Sequence, residues 1–273
     1  MSALGWQLVV DWRALDAAAR ELLVGELWCH PISGMEERDD RVIVGFETES
    51  DARAAGSELD VPFAIVAVLD DAYLDEWRQF ARPWTVGNLF VRPSWVAAPV
   101  PSDSIEIVVD PQRAFGSGAH ATTRLALSLL QQLDLRERTV LDLGCGSGVL
   151  SVAAAALGAT RVDAIDIDAA AVAATVDNAA RNGVGERIRA RVATIDDVVG
   201  EFDVVVANVL PSVHREVAEG VRRVASRFVI VSGMLDAQVA DVEPRYGAGL
   251  VTAQREDGWA ALVLRVDRAD LGS

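Results

Sequence analysis

Apolar residues recur along this chain in short strand-like runs separated by stretches of helical periodicity. Near the start, WQLVVDW from Trp6 suits a strand, ALDAAARELLVGEL from Ala14 a helix and LWCHPISGMEE from Leu27 a strand. RVIVGFE from Arg41 follows a polar ERDD turn as its hairpin partner; SDARAAGSEL, capped by Ser50 or Asp51, and FAIVAVLDD from Phe63 come next. This βαββαβ order predicts a small α+β, ferredoxin-like unit over residues 1–72.

In YLDEWRQFARPW, residues 73–84, Leu74, Trp77, Phe80 and Trp84 fall at intervals of three and four, which gives one apolar, aromatic helical face. It fits a linker helix packed on one domain, or a face that meets substrate. Pro83 and Pro93 bracket the passage out of it, because proline continues neither a helix nor a central ladder. A connection over 73–95 and a second domain over 96–273 follow. In that domain IEIVVD from Ile105, a helix ATTRLALSLLQQL from Ala121, and strands TVLDLG, RVDAIDI, IRARVA, FDVVVAN and RFVIVSG alternate with helical segments. Val- and Ile-rich strands joined by helices predict an α/β domain with a parallel sheet covered on both faces. GLVTAQRE and WAALVLRV are joined by Asp257-Gly258, a tight-hairpin dipeptide, so the last two strands should be antiparallel.

Charge narrows the partners. A formal net charge of −16 would repel nucleic-acid phosphates and attract a basic protein. All 25 basic side chains are arginine, which excludes lysine chemistry within the chain. Cys29 and Cys145 are too few and too far apart for a disulfide framework or a zinc site. With no cationic, apolar leader and no apolar run of bilayer length, the chain reads as cytoplasmic, with no membrane partner.

The chemistry centres on VLDLGCGSGVL, where Gly144, Gly146 and Gly148 sit at the change from a buried strand to a helix. There the backbone can approach a ligand closely and helix amides can face it, as in nucleotide sites. A dinucleotide fingerprint needs G-x-G-x-x-G, but Val149 or Ser151 occupies the last position in either frame. Asp142, two residues before the first glycine, would repel a pyrophosphate and suit a ligand with cationic groups. Asp166 ends the next strand, where a carboxylate can accept from ribose hydroxyls, while Asp168 suits the cap of the following helix. The D-x-G-x-G-x-G pattern, the acid 22 residues after Gly144 and the terminal hairpin resemble a seven-stranded class I methyltransferase, which implies S-adenosylmethionine as cofactor.

DPQRAFGSGAHATTRLALSLL, from Asp110 to Leu130, resembles the stretch before the cofactor motif in the ribosomal protein L11 methyltransferases (PrmA). The resemblance extends to YLDEWRQFARPW, LFVRPSW, DNAARNGV, FDVVVANVL and GWAALV, about residues 73–265. Gln112 stands where the family usually has glycine, and Ser117 replaces a threonine but keeps its hydroxyl. The resemblance implies cofactor contacts at Thr123, Gly144, Asp166 and Asn208, with Phe115, Gly116, Gly146 and Asp142 beside them. Asn208 would also position the amine, and no general base is named. Read from the residues alone, Thr123 could be an early-helix residue bonding backbone and Asn208 a strand-end turn former. His120 is a polar loop residue or a ligand contact; Cys145 fills a small site in the turn; His30 and His214 are structural or solvated. The implied reaction is methylation of lysine side chains and the N-terminal amine of ribosomal protein L11, captured free of the ribosome. The same chemistry on another protein, or a cofactor-binding module without turnover, are the alternatives.

Overall fold

The computed structural model describes residues 5–28, 30–38, 40–68, 82–110 and 120–266. The chain divides into two compact units, Met1–Ala81 and Arg82–Ser273. In the first, β1 (Gly5–Asp11), β2 (Ile32–Glu37), β3 (Arg41–Phe46) and β4 (Phe63–Val68) form an antiparallel sheet in the order β2-β3-β1-β4. Helices α1 (Ala17–Leu27) and α2 (Glu49–Ser57) follow β1 and β3. Strand alternation sends Leu8, Val10, Val42, Val44 and Phe46 into one buried cluster with Leu23, Val24 and Leu27 of α1 and Ala52 and Ala55 of α2. Each large apolar side chain so buried contributes about 1.5–3 kcal/mol.

Three local expectations change. Leu27 closes α1 instead of opening a strand: it is fully buried, and Trp28 N still bonds Val24 O at 3.0 Å. Pro31, with no N–H to extend a helix, then separates it from β2. Thr48, not Ser50 or Asp51, caps α2, its Oγ1 accepting from Asp51 N at 3.1 Å. Of the helix expected over 73–84, residues 73–81 lie outside the described residues, and Trp84 opens a strand.

Among the described residues the second unit carries a large mixed sheet of seven strands. In chain order these are β8 (Thr139–Leu143), β9 (Arg161–Asp166), β10 (Ile188–Val192), β11 (Phe202–Asn208), β12 (Ala225–Leu235), β13 (Gly249–Glu256) and β14 (Trp259–Arg265). Their spatial order is β10-β9-β8-β11-β12-β14-β13. The first five are parallel and the terminal hairpin antiparallel. Asp257 and Gly258 both have positive φ, 50° and 79°, as a type I′ hairpin turn requires. Successive strand residues feed opposite cores. Val140, Val204, Val206 and Ile230 join the cluster of α3 (Ala121–Leu130) and α4 (Val149–Ala156). Leu141, Val205, Ala207 and Val229 join that of α6 (Pro211–Val224) and Tyr246.

From β8 the chain winds outward to β9 and β10, then returns to place β11 on the other side of β8. Such a reversal, here between β8 and β11, is where open α/β sheets form a ligand crevice beyond the carboxyl ends of the strands.

IEIVVD does not join this sheet. It forms β7 (Ile105–Val109) in a separate three-stranded sheet with β5 (Trp84–Val86) and β6 (Leu89–Pro93), in the order β5-β6-β7. Two side-chain amides of α5 (Ala169–Arg181) and its C-cap act on this segment as a neighbouring strand would. Asn182 donates to Val108 O at 2.7 Å and accepts from Val108 N at 2.8 Å. Asn178 does the same with Asp110, at 2.8 and 2.9 Å. Among the described residues no helix is long and apolar enough to cross a membrane.

Candidate active site

The glycine turn leaves β8 with Gly144, Gly146 and Gly148 all at positive φ, 71°, 52° and 77°, a region that disfavours any side chain. A Cβ on Gly144 would stand 2.7 Å from Val209 Cγ1, and one on Gly148 within 2.9 Å of the Thr175 backbone. The first glycine therefore lets the loop after β11 come close, and the third lets α5 pack on α4. The backbone of Gly144 and Cys145 donates to Ile165 O at 2.9 and 3.0 Å, tying the turn to the end of β9.

Asp166 completes that tie. One oxygen accepts from Gly146 N at 3.0 Å and the other from Asp168 N at 3.0 Å, so the carboxylate is oriented at the strand end with lone pairs left for a ligand. Asp168 caps α5 by accepting from Ala170 N at 2.8 Å. Ile167, between the two acids, is 79 % exposed. The pattern RVDAIDI extends the strand through Ile167, whereas the strand ends at Asp166.

Asp142 lies beneath the turn, only 1 % exposed. Its Oδ2 accepts from Ser151 Oγ at 2.5 Å, whereas Oδ1 is buried with no hydrogen-bond partner among the described residues. Burial, opposed by the Ser151 bond and reinforced by Asp166, pushes its carboxyl up to about 6. An acceptor left unsatisfied in a native interior needs an explanation, and a cationic donor is the complementary one.

Across the crevice, Asn208 ends β11 and Thr123 sits in the first turn of α3. Asn208 Nδ2 donates to Thr123 Oγ1 at 3.4 Å, which brings two of the expected contacts together over 85 residues of sequence. Thr123 is 3 % exposed and Asn208 half-buried. Phe115 and Gly116 lie outside the described residues, as do Gln112 and Ser117.

The remaining candidates resolve by their contacts. His120 is the N-cap of α3, with Nδ1 2.8 Å from Thr122 Oγ1 and its ring edge-on to Trp259 at 4.8 Å. Burial, helped by Arg124, pushes it down to about 4, so it is neutral near pH 7. Cys145 receives the Thr175 hydroxyl at 3.3 Å, and burial raises its thiol above the ordinary range, the opposite of a reactive thiolate. His214 is fully buried and bonded through both ring nitrogens. Asn178 extends the site's support: besides Asp110 it bonds Ser147 O at 2.8 Å, joining the glycine turn to the segment that leads into residues 111–119.

The model of the family described as Ribosomal protein L11 methyltransferase (PrmA) matches residues 35–267, reaching further towards the N-terminus than residue 73. A ribosomal protein L11 methyltransferase of Tolumonas auensis is 33% identical over 275 residues, covering 96% of this chain and 91% of that protein. That of Aeromonas hydrophila is 41% identical over 191 residues, 69% of this chain, and the match spans 65% of its own length. The crystal structure of a ribosomal protein L11 methylase from Lactobacillus delbrueckii subsp. bulgaricus superposes with a TM-score of 0.59 at 31% identity, covering 65% of this chain and 94% of that one.

Proposed function

Because the chain belongs to the ribosomal protein L11 methyltransferase family, whose enzymes depend on S-adenosylmethionine, we propose that it transfers methyl groups from S-adenosylmethionine to amines of ribosomal protein L11. The observation that carries this is the family match across residues 35–267. The site supports it chemically. Among the described residues Asp142 Oδ1 is an unsatisfied buried acceptor, fitting a ligand with an ammonium and a sulfonium and no phosphate. Asp166 offers acceptor positions for ribose hydroxyls, and Gly144 and Gly146 let the ligand approach the turn.

When bound, the cofactor would supply a methyl carbon that a neutral amine attacks in line, the N–C bond forming as the S–C bond breaks and S-adenosylhomocysteine leaves, with the surplus amine proton passing to solvent. Asn208 and Thr123 would hold reactants collinear, the main source of acceleration for such a step. The Val209-Leu210-Pro211 backbone supports the amine. A lysine amine near pKa 10.4, and less so an α-amine near 8, must shed its proton first. Desolvation on entering the crevice favours that loss.

We assign lysine side chains and the N-terminal amine as acceptors. The ferredoxin-like first domain, residues 1–72, recognises the substrate; residues 73–95 connect it to a seven-stranded class I domain over 96–273. The charge of −16 favours capture of the basic protein in the cytoplasm before ribosomal RNA covers it. Labelled cofactor, free ribosomal protein L11 and assembled ribosomes at equal concentration test this, with mass spectrometry of the products. Free protein should be methylated faster; equal rates refute free capture, and no methylation of either refutes the substrate. Asn208→Ala should lower kcat about a hundredfold with an unchanged melting temperature; full activity would remove Asn208 from the site.

A further inference from the structure

Behind the Asn208 loop lies a buried polar cluster that methyl transfer itself does not touch. Ser232 in β12 is fully buried, yet it bonds in three directions. Its hydroxyl donates to Thr122 O at 2.9 Å, holding the turn of α3 that carries Thr123. Its carbonyl accepts from Val209 N at 3.2 Å, holding the residue next to Asn208. The same carbonyl lies 2.8 Å from His214 Nε2, and His214 Nδ1 lies 2.5 Å from the Tyr246 hydroxyl. A carbonyl can only accept, so Nε2 carries the proton and Nδ1 accepts from Tyr246.

The backbone is arranged for this purpose. Pairing between β12 and β14 breaks register between Val231 and Met234, and such a bulge re-aims the residues within it. Gly233, at φ 92°, leaves no room for a side chain: a Cβ there would stand 2.2 Å from Val209 O. β12 therefore bears directly on the backbone that follows Asn208. Burying a serine, a histidine and a tyrosine together is costly unless every group is paired. Apolar residues would fill the same volume without fixing a direction.

We propose that Ser232 and His214 are positioning residues for methyl transfer. Ser232 ties the Asn208 loop and the Thr123 turn to one point of β12, and His214, braced by Tyr246, fixes the aim of the Ser232 carbonyl. The clamp sets the 3.4 Å gap between Asn208 Nδ2 and Thr123 Oγ1. This rests on placing Asn208 and Thr123 at the reacting centre.

Three variants of the full chain test it: Ser232→Ala, which frees α3; His214→Phe, which removes the ring donor; and His214→Gln, which restores a donor towards Ser232 O. Amide exchange resolved by residue should speed up about tenfold at Val209 in His214→Phe and at Thr122–Arg124 in Ser232→Ala, with β9 amides unchanged. Both variants should lose about tenfold or more in kcat, lose less in cofactor affinity because the contacts at Gly144 and Asp166 are kept, and His214→Gln should recover most of the rate. Unchanged exchange at those amides, faster exchange spread equally through β9, or a kcat loss matched by lost cofactor affinity each overturns the clamp. Should His214→Phe fail to fold, the Thr122–Arg124 exchange and kcat of Ser232→Ala decide alone. A wild-type chain that transfers nothing to ribosomal protein L11 would overturn the substrate assignment, while the exchange and affinity measurements still judge the clamp.

Discussion

Asp142 and His214 are both buried on the sheet of the second unit, and both are shifted by the same cause in opposite directions. Loss of water raises the carboxyl to about 6 and lowers the imidazole to about 4, because burial disfavours whichever form is charged. The difference lies in their partners. Both nitrogens of His214 are bonded, so its neutral form is complete within the protein. Asp142 has one oxygen on Ser151 and one without a partner among the described residues, so within them its charged form is left incomplete. A satisfied buried group rigidifies its surroundings; an unsatisfied one leaves a place for a ligand.

The largest effect should come from removing that charge. Asp142→Asn loses the charge that would meet the cofactor's cationic end, worth about 1.5–3 kcal/mol for a charge-assisted bond, and should weaken cofactor binding ten- to a hundredfold in calorimetry. The same variant should unfold at higher denaturant near pH 7, gaining up to about 3 kcal/mol, since a buried, half-paired charge is gone. Weaker binding together with lower stability would mean Asp142 is an ordinary structural carboxylate, and the contrast with His214 would fail.

How far these two residues could be seen in the sequence differs for the same reason. Asp142 was visible because its role is local: two residues separate it from Gly144, and the strand-turn-helix pattern specifies both. The sequence reads His214 as structural or solvated, and it is structural; its partners Ser232 and Tyr246 are distant in the chain, so nothing local shows which groups it meets. The same limit hid the placement of β7. IEIVVD has the composition of a buried sheet strand, and nothing local shows that Asn178 and Asn182 hold it outside the main sheet. The glycine turn, the Asp168 cap and the terminal hairpin depend on neighbours within a few residues, and each was legible.

Acid titration should expose the opposition next. A histidine with a lowered folded pKa gives stability that is complete above 6.5 and is lost as pH falls towards about 4; His120 adds in the same sense. A carboxyl with a raised folded pKa gives stability that is complete below 3.8 and is lost as pH rises through about 6. Each amounts to about 3 kcal/mol, so between pH 4 and 6 the carboxyl offsets one histidine and the other leaves a net rise with pH. Denaturant unfolding of Asp142→Asn should therefore rise steeply with pH over that window, while His214→Phe should rise less than the wild type or fall. Identical slopes in all three chains would show that neither group is linked to folding.

The smallest expected effect separates tuning of that charge from its removal. Ser151 is fully buried and makes the bond that favours the charged form of Asp142. Ser151→Ala leaves the carboxyl in place but removes that support, so it should hold its proton to higher pH. With Asp142 placed against the cofactor's cationic end, as proposed, the charged carboxylate is the binding form, so in the wild type affinity should decline as pH drops below about 6. In the variant the midpoint of that decline should move upward, with about 1 kcal/mol lost near pH 7, roughly fivefold in Kd. An unmoved midpoint would show that desolvation alone sets the Asp142 charge. A midpoint that moves as expected would show that α4, through one hydroxyl, sets the pH at which the turn is ready for its ligand.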